Sequence, residues 1–265
     1  MNCVYQVTGN DVLTNACAAG PWDPTMQHGG APASLVVWAA ERIPTRDPMQ
    51  VARLTIDLLR PVPVAPLQIQ SKVVREGRKI QLCEVTLLAQ GIEVARGSVL
   101  KIRCADAPLP PHVADEPLDV PGPEHGDVPE GLVGEETNAF ISGLALRTVK
   151  GAFHQIGPAA IWFRAQRAIV AGAPISPAMR AAMTGDFCNG VSSILDFRRW
   201  TFINADLTVS LARQPVGEWI LLDARSWLGN RGCGIAFARL GDAQGYFGRA
   251  VQSMVIEERV QGKDA

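Results

Sequence analysis

Two polar side chains stand where the surrounding pattern calls for apolar ones, and a third lies on the polar face of an alternating strand. Asp186 sits in Ala181-Ala182-Met183-Thr184-Gly185-Asp186-Phe187-Cys188, text that is otherwise small and apolar. Gln252 shares a strand face with Gly248, Ala250, Met254 and Ile256, which is not the company of a solvent-facing amide. Asn204 lies in Thr201–Arg213, where Ile203, Ala205, Leu207, Val209 and Leu211 alternate with Asn204, Asp206, Thr208 and Ser210. A carboxylate with two amides can orient a water or take its proton. Each residue also has a plainer role. Asp186 would cap a helix, worth roughly 0.5–2 kcal/mol. Gln252 would be a buried, satisfied amide, and Asn204 a strand-end side chain bonded to backbone.

His28-Gly29-Gly30 forms a second group. Two glycines opening a helix let another group approach its free N–H groups, where the dipole favours negative charge. The same glycines could serve only close helix–sheet packing. His28 is either a ligand contact or an exposed capping residue. Cys188 is a poor nucleophile, with no base partner in its local sequence. The six cysteines contain no C-x-x-C pair and read as buried free thiols. The histidines His28, His112, His125 and His154 lack ligand spacing, so no metal site is expected.

The elements that must position these residues occur twice. Leu54-Thr55-Ile56-Asp57-Leu58-Leu59-Arg60 returns 153 residues later as Leu207-Thr208-Val209-Ser210-Leu211-Ala212-Arg213. Val94-Ala95-Arg96-Gly97 returns at the same offset as Phe247-Gly248-Arg249-Ala250. One offset held without insertion indicates two copies of one supersecondary unit. In the first copy a helix is expected over Ala31–Ile43, then strands over Val51–Arg60, Leu67–Glu76, Lys79–Gln90 and Ile92–Arg103. In the second, Ile161–Val170 reads as a strand and Pro177 to Leu195 as a helix. Strands follow over Thr201–Arg213, Glu218–Leu228, Cys233–Leu240 and Tyr246–Glu257. The apolar helix 31–40 should be buried against its sheet, and the two sheets should pair side by side, since open edges aggregate. The division is therefore 1–104, a Pro/Gly/acid-rich linker 105–147, and 148–265. Gln252 and Asn204 fall on Val99 and Val51 of the first copy, and helix 29–40 has no carboxylate. The polar trio belongs to one copy only, as a retained site beside a degenerate one would.

The chain has 265 residues, 47% hydrophobic and 19% charged, with net charge −1. That balance gives no reason to expect nucleic acid or an anionic membrane as partner. The N-terminus does not read as a signal peptide, and no apolar run is long enough for a membrane span. A cytoplasmic protein is expected.

These segments resemble the double hot-dog fold, an α+β architecture, and within it the thioesterase II type of acyl-CoA thioesterase. Gln27-His28-Gly29-Gly30 is similar to the family's glycine pair at the first helix. Thr184-Gly185-Asp186-Phe187 is similar to the Asp-bearing start of the second, and Ala250-Val251-Gln252 to the last-strand segment with the catalytic glutamine. The resemblance implies that Asp186 and Gln252 act with a third residue. In the family that residue is Thr; here the position holds Asn204. It further implies acyl-CoA as substrate, direct attack by water without a covalent intermediate, no metal or other cofactor, and a homodimer. The N-terminus of the helix at Gly29-Gly30 would polarise the carbonyl, with His28 at the substrate. Arg198-Arg199 would meet the phosphates of coenzyme A or form a solvated face. Two other readings stay open: a hot-dog enoyl-CoA hydratase or dehydratase, which wants a His paired with a carboxylate that neither His28 nor His154 evidently has, and a non-catalytic acyl-CoA binding protein.

Overall fold

A computed structural model describes residues 3–110, 113, 116–129, 139–153 and 155–259; His112 and His154 lie outside the described residues. The first copy runs β1 (Cys3–Thr8), β2 (Asp11–Thr14), α1 (Gly30–Glu41), β3 (Met49–Asp57), β4 (Leu67–Glu76), β5 (Ile80–Ala89) and β6 (Ile92–Arg103). The second runs β7 (Leu144–Lys150), β8 (Ala159–Ala165), β9 (Ala168–Val170), α2 (Pro177–Gly185) and α3 (Cys188–Val191). It closes with β10 (Trp200–Asn204), β11 (Asp206–Leu211), β12 (Ile220–Leu228), β13 (Cys233–Asp242) and β14 (Gly245–Glu258). β1, β2 and β7 add to the strands read from alternation. β7 begins inside the segment expected to be linker.

The strands form one sheet in the order β7-β8-β12-β13-β14-β11-β3-β6-β5-β4-β2-β1-β9, with β10 also on β14. The copies join where β3 and β11 pair antiparallel. Only Gln166 and Arg167 separate β8, near one end of this order, from β9 at the other. The three Cα–Cα steps from Ala165 to Ala168 span at most about 11 Å even fully extended, so the sheet must curl until its ends approach each other. The helices fill the space it encloses. This is the double hot-dog arrangement.

Pairing registers repeat along with the strands. Gln70 faces Thr86 as Asp223 faces Arg239, and Cys83 faces Val99 as Ala236 faces Gln252. Ile56 faces Gly97 as Val209 faces Ala250. Each pair in the second copy is the first-copy pair moved on by the separation of Thr55 and Thr208, 153 residues. The four central strands of each copy therefore correspond without insertion.

One feature of this correspondence departs from the sequence reading. β3 slips by one residue against β6 at Ala52, since Val51 faces Lys101 while Arg53 faces Leu100. The counterpart of Ala52 is Ala205, which splits the expected strand Thr201–Arg213 into β10 and β11. Asn204 faces Met254 while Thr208 faces Val251, so Ala205 is the extra residue. A bulge reverses which face the following side chains take. Inward residues are Phe202 and Asn204 before it, but Leu207 and Val209 after it. Asn204 therefore does not share a face with Thr208 and Ser210; it shares that of Gln252.

α1 is buried from Gly30 through Val37 and again at Ala39 and Ala40. A helix apolar all round belongs inside. Gly97 of β6 gives α1 its close approach, because a Cβ there would collide with Val36 Cγ1. The second helix differs from the continuous Pro177–Leu195 expected. Ser176 caps α2 by accepting the Met179 N–H at 3.1 Å, and the helix ends at Gly185, with Asp186 as its C-cap. Asp186 thus closes a helix rather than opening one. Among the described residues no helix is long and apolar enough to cross a membrane.

Residues 116–129 cross the outside of the second copy. Trp162 donates its indole N–H to the Pro121 carbonyl at 2.9 Å, and Arg239 pairs with Glu116, Asp119 and Asp223. Leu118 and Val120 pack on Trp162, Leu221 and Tyr246 beneath it.

Candidate active site

The break between α2 and α3 turns the Asp186 carboxylate toward the N-terminus of α1. A Cβ on Gly29 would lie 2.7 Å from Oδ1 and 2.8 Å from Oδ2, so only glycine leaves room for this carboxylate. The expected roles of Gly29 were substrate approach or helix–sheet packing; what it admits here is a side chain from the other copy. The position also suits a negative charge, at the positive end of the α1 dipole.

Two amide donors and one imidazole nitrogen converge on Asp186. Asn204 Nδ2 donates to Oδ1 at 2.9 Å and Gln252 Nε2 to the same oxygen at 3.2 Å. His28 Nδ1 lies 3.0 Å from Oδ2. Asp186 is 4% exposed, Gln252 0% and His28 9%. A carboxyl group so far from water needs hydrogen-bonding partners, and these side chains supply them.

Each partner is itself held. Gln252 Oε1 accepts the Asn189 N–H at 3.1 Å, which fixes the amide so that Nε2 reaches Asp186, including its carbonyl at 3.0 Å. Asn204 Nδ2 also donates to the Asp206 carbonyl at 3.1 Å. The His28 ring stacks on Phe140 with centroids 5.0 Å apart and meets Phe187 at 4.2 Å. Its backbone N–H donates to Ala18 O at 2.9 Å and its carbonyl accepts the Ala31 N–H at 2.9 Å. In the first turn of α1, then, the Ala31 N–H is used, Gly30 N–H faces His28 Nδ1 at 3.1 Å, and Pro32 has none. The Gly29 N–H takes no partner among the described residues.

The arrangement thus brings together all six residues singled out in the sequence: Asp186, Asn204, Gln252, His28, Gly29 and Gly30. His28 corrects two expectations. It is buried rather than an exposed cap, and it does have a carboxylate partner. That partner lies in the other copy, beyond the reach of local spacing. Asn189, Phe140 and Phe187 were not anticipated either, because an Asn after a Cys and isolated Phe residues carry no local signal. Cys188 is fully buried. Burial, reinforced by the charge of Asp186, pushes its thiol well above the ordinary range, which withholds the thiolate that nucleophilic attack needs. Arg198 and Arg199 are exposed, and Arg199 pairs with Glu258 at 3.2 Å.

Residues 18–102 match the model of the acyl-CoA thioesterase N-terminal domain, and residues 112–256 that of the acyl-CoA thioesterase C-terminal domain. None of the curated proteins matches the chain. Among solved structures, a hot-dog-fold protein of unknown function from Alicyclobacillus acidocaldarius superposes with TM-score 0.75 at 18% identity, covering 97% of this chain and 96% of that one. Acyl-CoA thioesterase II from Mycobacterium marinum gives 0.66 at 15% identity over 98% and 96%. The tesB protein of Mycobacterium avium subspecies paratuberculosis gives 0.67 at 15% over 95% and 94%. These likenesses establish the shared fold. The match to both domain models establishes the relationship: the chain belongs to the acyl-CoA thioesterase family, whose activity is the hydrolysis of acyl-CoA thioesters.

Proposed function

We propose that this hydrolysis takes place at Asp186. The observation that carries the reading is the convergence of two amide donors, one imidazole nitrogen and one helix N-terminus on a single buried carboxylate. Asp186, with Asn204 and Gln252, orients a water against the thioester carbonyl carbon. The developing oxyanion turns to the Gly29 N–H at the start of α1, where backbone donors and dipole favour negative charge. The tetrahedral adduct then expels coenzyme A as its thiol and leaves a carboxylic acid. Asn204, in the position of the family's Thr, supports the same role, since its amide reaches Oδ1.

Thiol release from acyl-CoAs of graded chain length tests this in wild type and Asp186→Asn. Turnover should fall by about 10²–10⁴ in the variant, with its melting temperature largely kept. Equal turnover in both proteins would remove Asp186 from the reaction. Inactivity of both on every chain length would favour an acyl-CoA binding role instead.

The His28–Asp186 pair is the one observation that favours a hydratase. Family membership argues for hydrolysis, so no change in enoyl absorbance is expected. The coenzyme A substrate suits a cytoplasmic enzyme. A homodimer is supported by neighbouring apolar side chains on the outer sheet face: Ile203 beside Val255, and Val251 beside Phe237, all exposed. Val251→Asp should shift the mass seen by light scattering toward the single chain.

A further inference from the structure

We propose that His28 is the proton carrier of the reaction: its Nε2 takes the proton from the attacking water and returns it to the departing sulfur, while Asp186 orients and charge-balances the ring. The proposal rests on Asp186 being the centre of the thioesterase site.

A carboxylate offers about four acceptor sites. Three on Asp186 are occupied, by Asn204 Nδ2, Gln252 Nε2 and His28 Nδ1. Asp186 is thus well made to hold donors and poorly arranged to receive a proton. His28 is the reverse. Phe140 and Phe187 lie against its ring, and its backbone is bonded on both sides. Nδ1 is engaged, which leaves Nε2 as the one ring nitrogen without a partner among the described residues.

Which nitrogen carries the resting proton follows from the neighbours of Nδ1. Gly30 N–H at 3.1 Å asks for a lone pair there; Asp186 Oδ2 at 3.0 Å asks for a proton. A neutral ring cannot serve both. The charge-assisted bond to the carboxylate is the stronger, so Nδ1 carries hydrogen and Nε2 presents its lone pair.

The step balances without any oxidant or cofactor. As the water oxygen bonds to the carbonyl carbon, its proton passes to Nε2, and the imidazolium is stabilised by Asp186 through Nδ1. Collapse of the adduct breaks the C–S bond, sulfur leaves with the electron pair, and Nε2–H supplies its proton.

Among the described residues, Asp186 is the charged group in contact with the ring. The segment bearing Phe140 is met by Arg167, from between β8 and β9, whose guanidinium donates to the Ala139 carbonyl at 2.8 Å. From β1, Tyr5 is bonded to Gln27 beside His28. From α3 comes Cys188. Burial keeps both of these neutral.

The test is kcat/KM against pH for wild type, His28→Gln and Asp186→Asn, with imidazole added back to His28→Ala. Wild type should show a limb that rises with pH, because the base must be unprotonated to accept the proton. His28→Gln should lose about 10²-fold or more and lose that limb. Imidazole should restore part of the activity of His28→Ala and none of that of Asp186→Asn. A wild-type profile without the limb overturns the proposal, whatever the variants do. So does a folded His28→Gln that keeps the limb. If in that case Asp186→Asn is inactive, the site still stands and only the role of His28 falls; a fully active Asp186→Asn would sink both.

Discussion

Thr55 Oγ1 and Thr208 Oγ1 lie 3.2 Å apart across the β3–β11 seam, and the two residues are each other's counterparts, 153 positions apart. Antiparallel register allows only one such self-paired position along the seam, so the pseudo-twofold axis of the chain passes between these hydroxyls. A neutral hydrogen bond of this kind contributes about 0.5–1.5 kcal/mol. Thr55→Val and Thr208→Val, alone and together, should give a coupling energy within that range by denaturant unfolding. Strict additivity would mean that the hydroxyls do not support the seam.

Gly97 should not tolerate a side chain. Its Cβ would run into Val36 Cγ1, and overpacking of this type costs about 1–3 kcal/mol. Gly97→Ala should lower stability by that amount, and Val36→Ala in the same chain should recover part of it. At the counterpart of Gly97, Ala250, the helix itself provides the small residue. A Cβ on Gly185 would stand 3.3 Å from that of Ala250 and 3.0 Å from Val209 Cγ2. Each copy keeps one small residue at the crossing, on opposite partners.

Asn204 should behave as a donor to a charged group. Asn204→Ala removes the bond to Asp186 Oδ1, worth about 1.5–3 kcal/mol, so steady-state thiol release should fall by roughly 10–100-fold in kcat. Asn204→Thr restores a hydroxyl donor at the same place and should stay within about tenfold of wild type, because one bond to a charged acceptor is exchanged for another.

Acid should unfold the protein through identifiable carboxylates. Burial alone would raise Asp242, but Arg213 and the N–H groups of Val216 and Gln244 outweigh it and hold the carboxyl below its ordinary 3.8. Asp119, bonded by Arg239 and Tyr246, is held at about 2. Both pKa values are lower folded than unfolded. Their stabilisation is therefore present above the unfolded value and is lost as pH falls through the folded one. Melting temperature should decline below about pH 4. Asp242→Asn should weaken that decline and, by exchanging a charged acceptor of Arg213 for a neutral amide, cost on the order of 3 kcal/mol at neutral pH.

The repeat was legible because Leu54–Asp57 of β3 and Leu207–Ser210 of β11 alternate alike and begin with the same Leu-Thr pair. Most of the site was legible for a related reason. Asp186 and Gln252 are polar intrusions into apolar text, and the resemblance gave them a purpose. What sequence concealed was geometry that depends on partners. Ala52 and Ala205 look like ordinary strand residues, yet each bulges, and the second bulge is what carries Asn204 to the inner face. The first does the same for Val51, so both copies have the bulge and only the second places a polar residue beside it. The helix break at Asp186 was hidden because Phe187, Cys188 and Val191 continue the apolar spacing. His28 passed for a surface cap because its carboxylate arrives from the other copy.

That division has a consequence for how the enzyme would respond to dilution. His28 and Gly29 come from one half, while Asp186, Asn204 and Gln252 come from the other, and a single polypeptide joins them. The site forms at the effective concentration of a tether, so its integrity does not depend on how many molecules are present. Specific activity per chain should stay constant down to concentrations at which any assembly of separate chains would have fallen apart. Cutting the connection between the halves should make turnover second order in the two fragments.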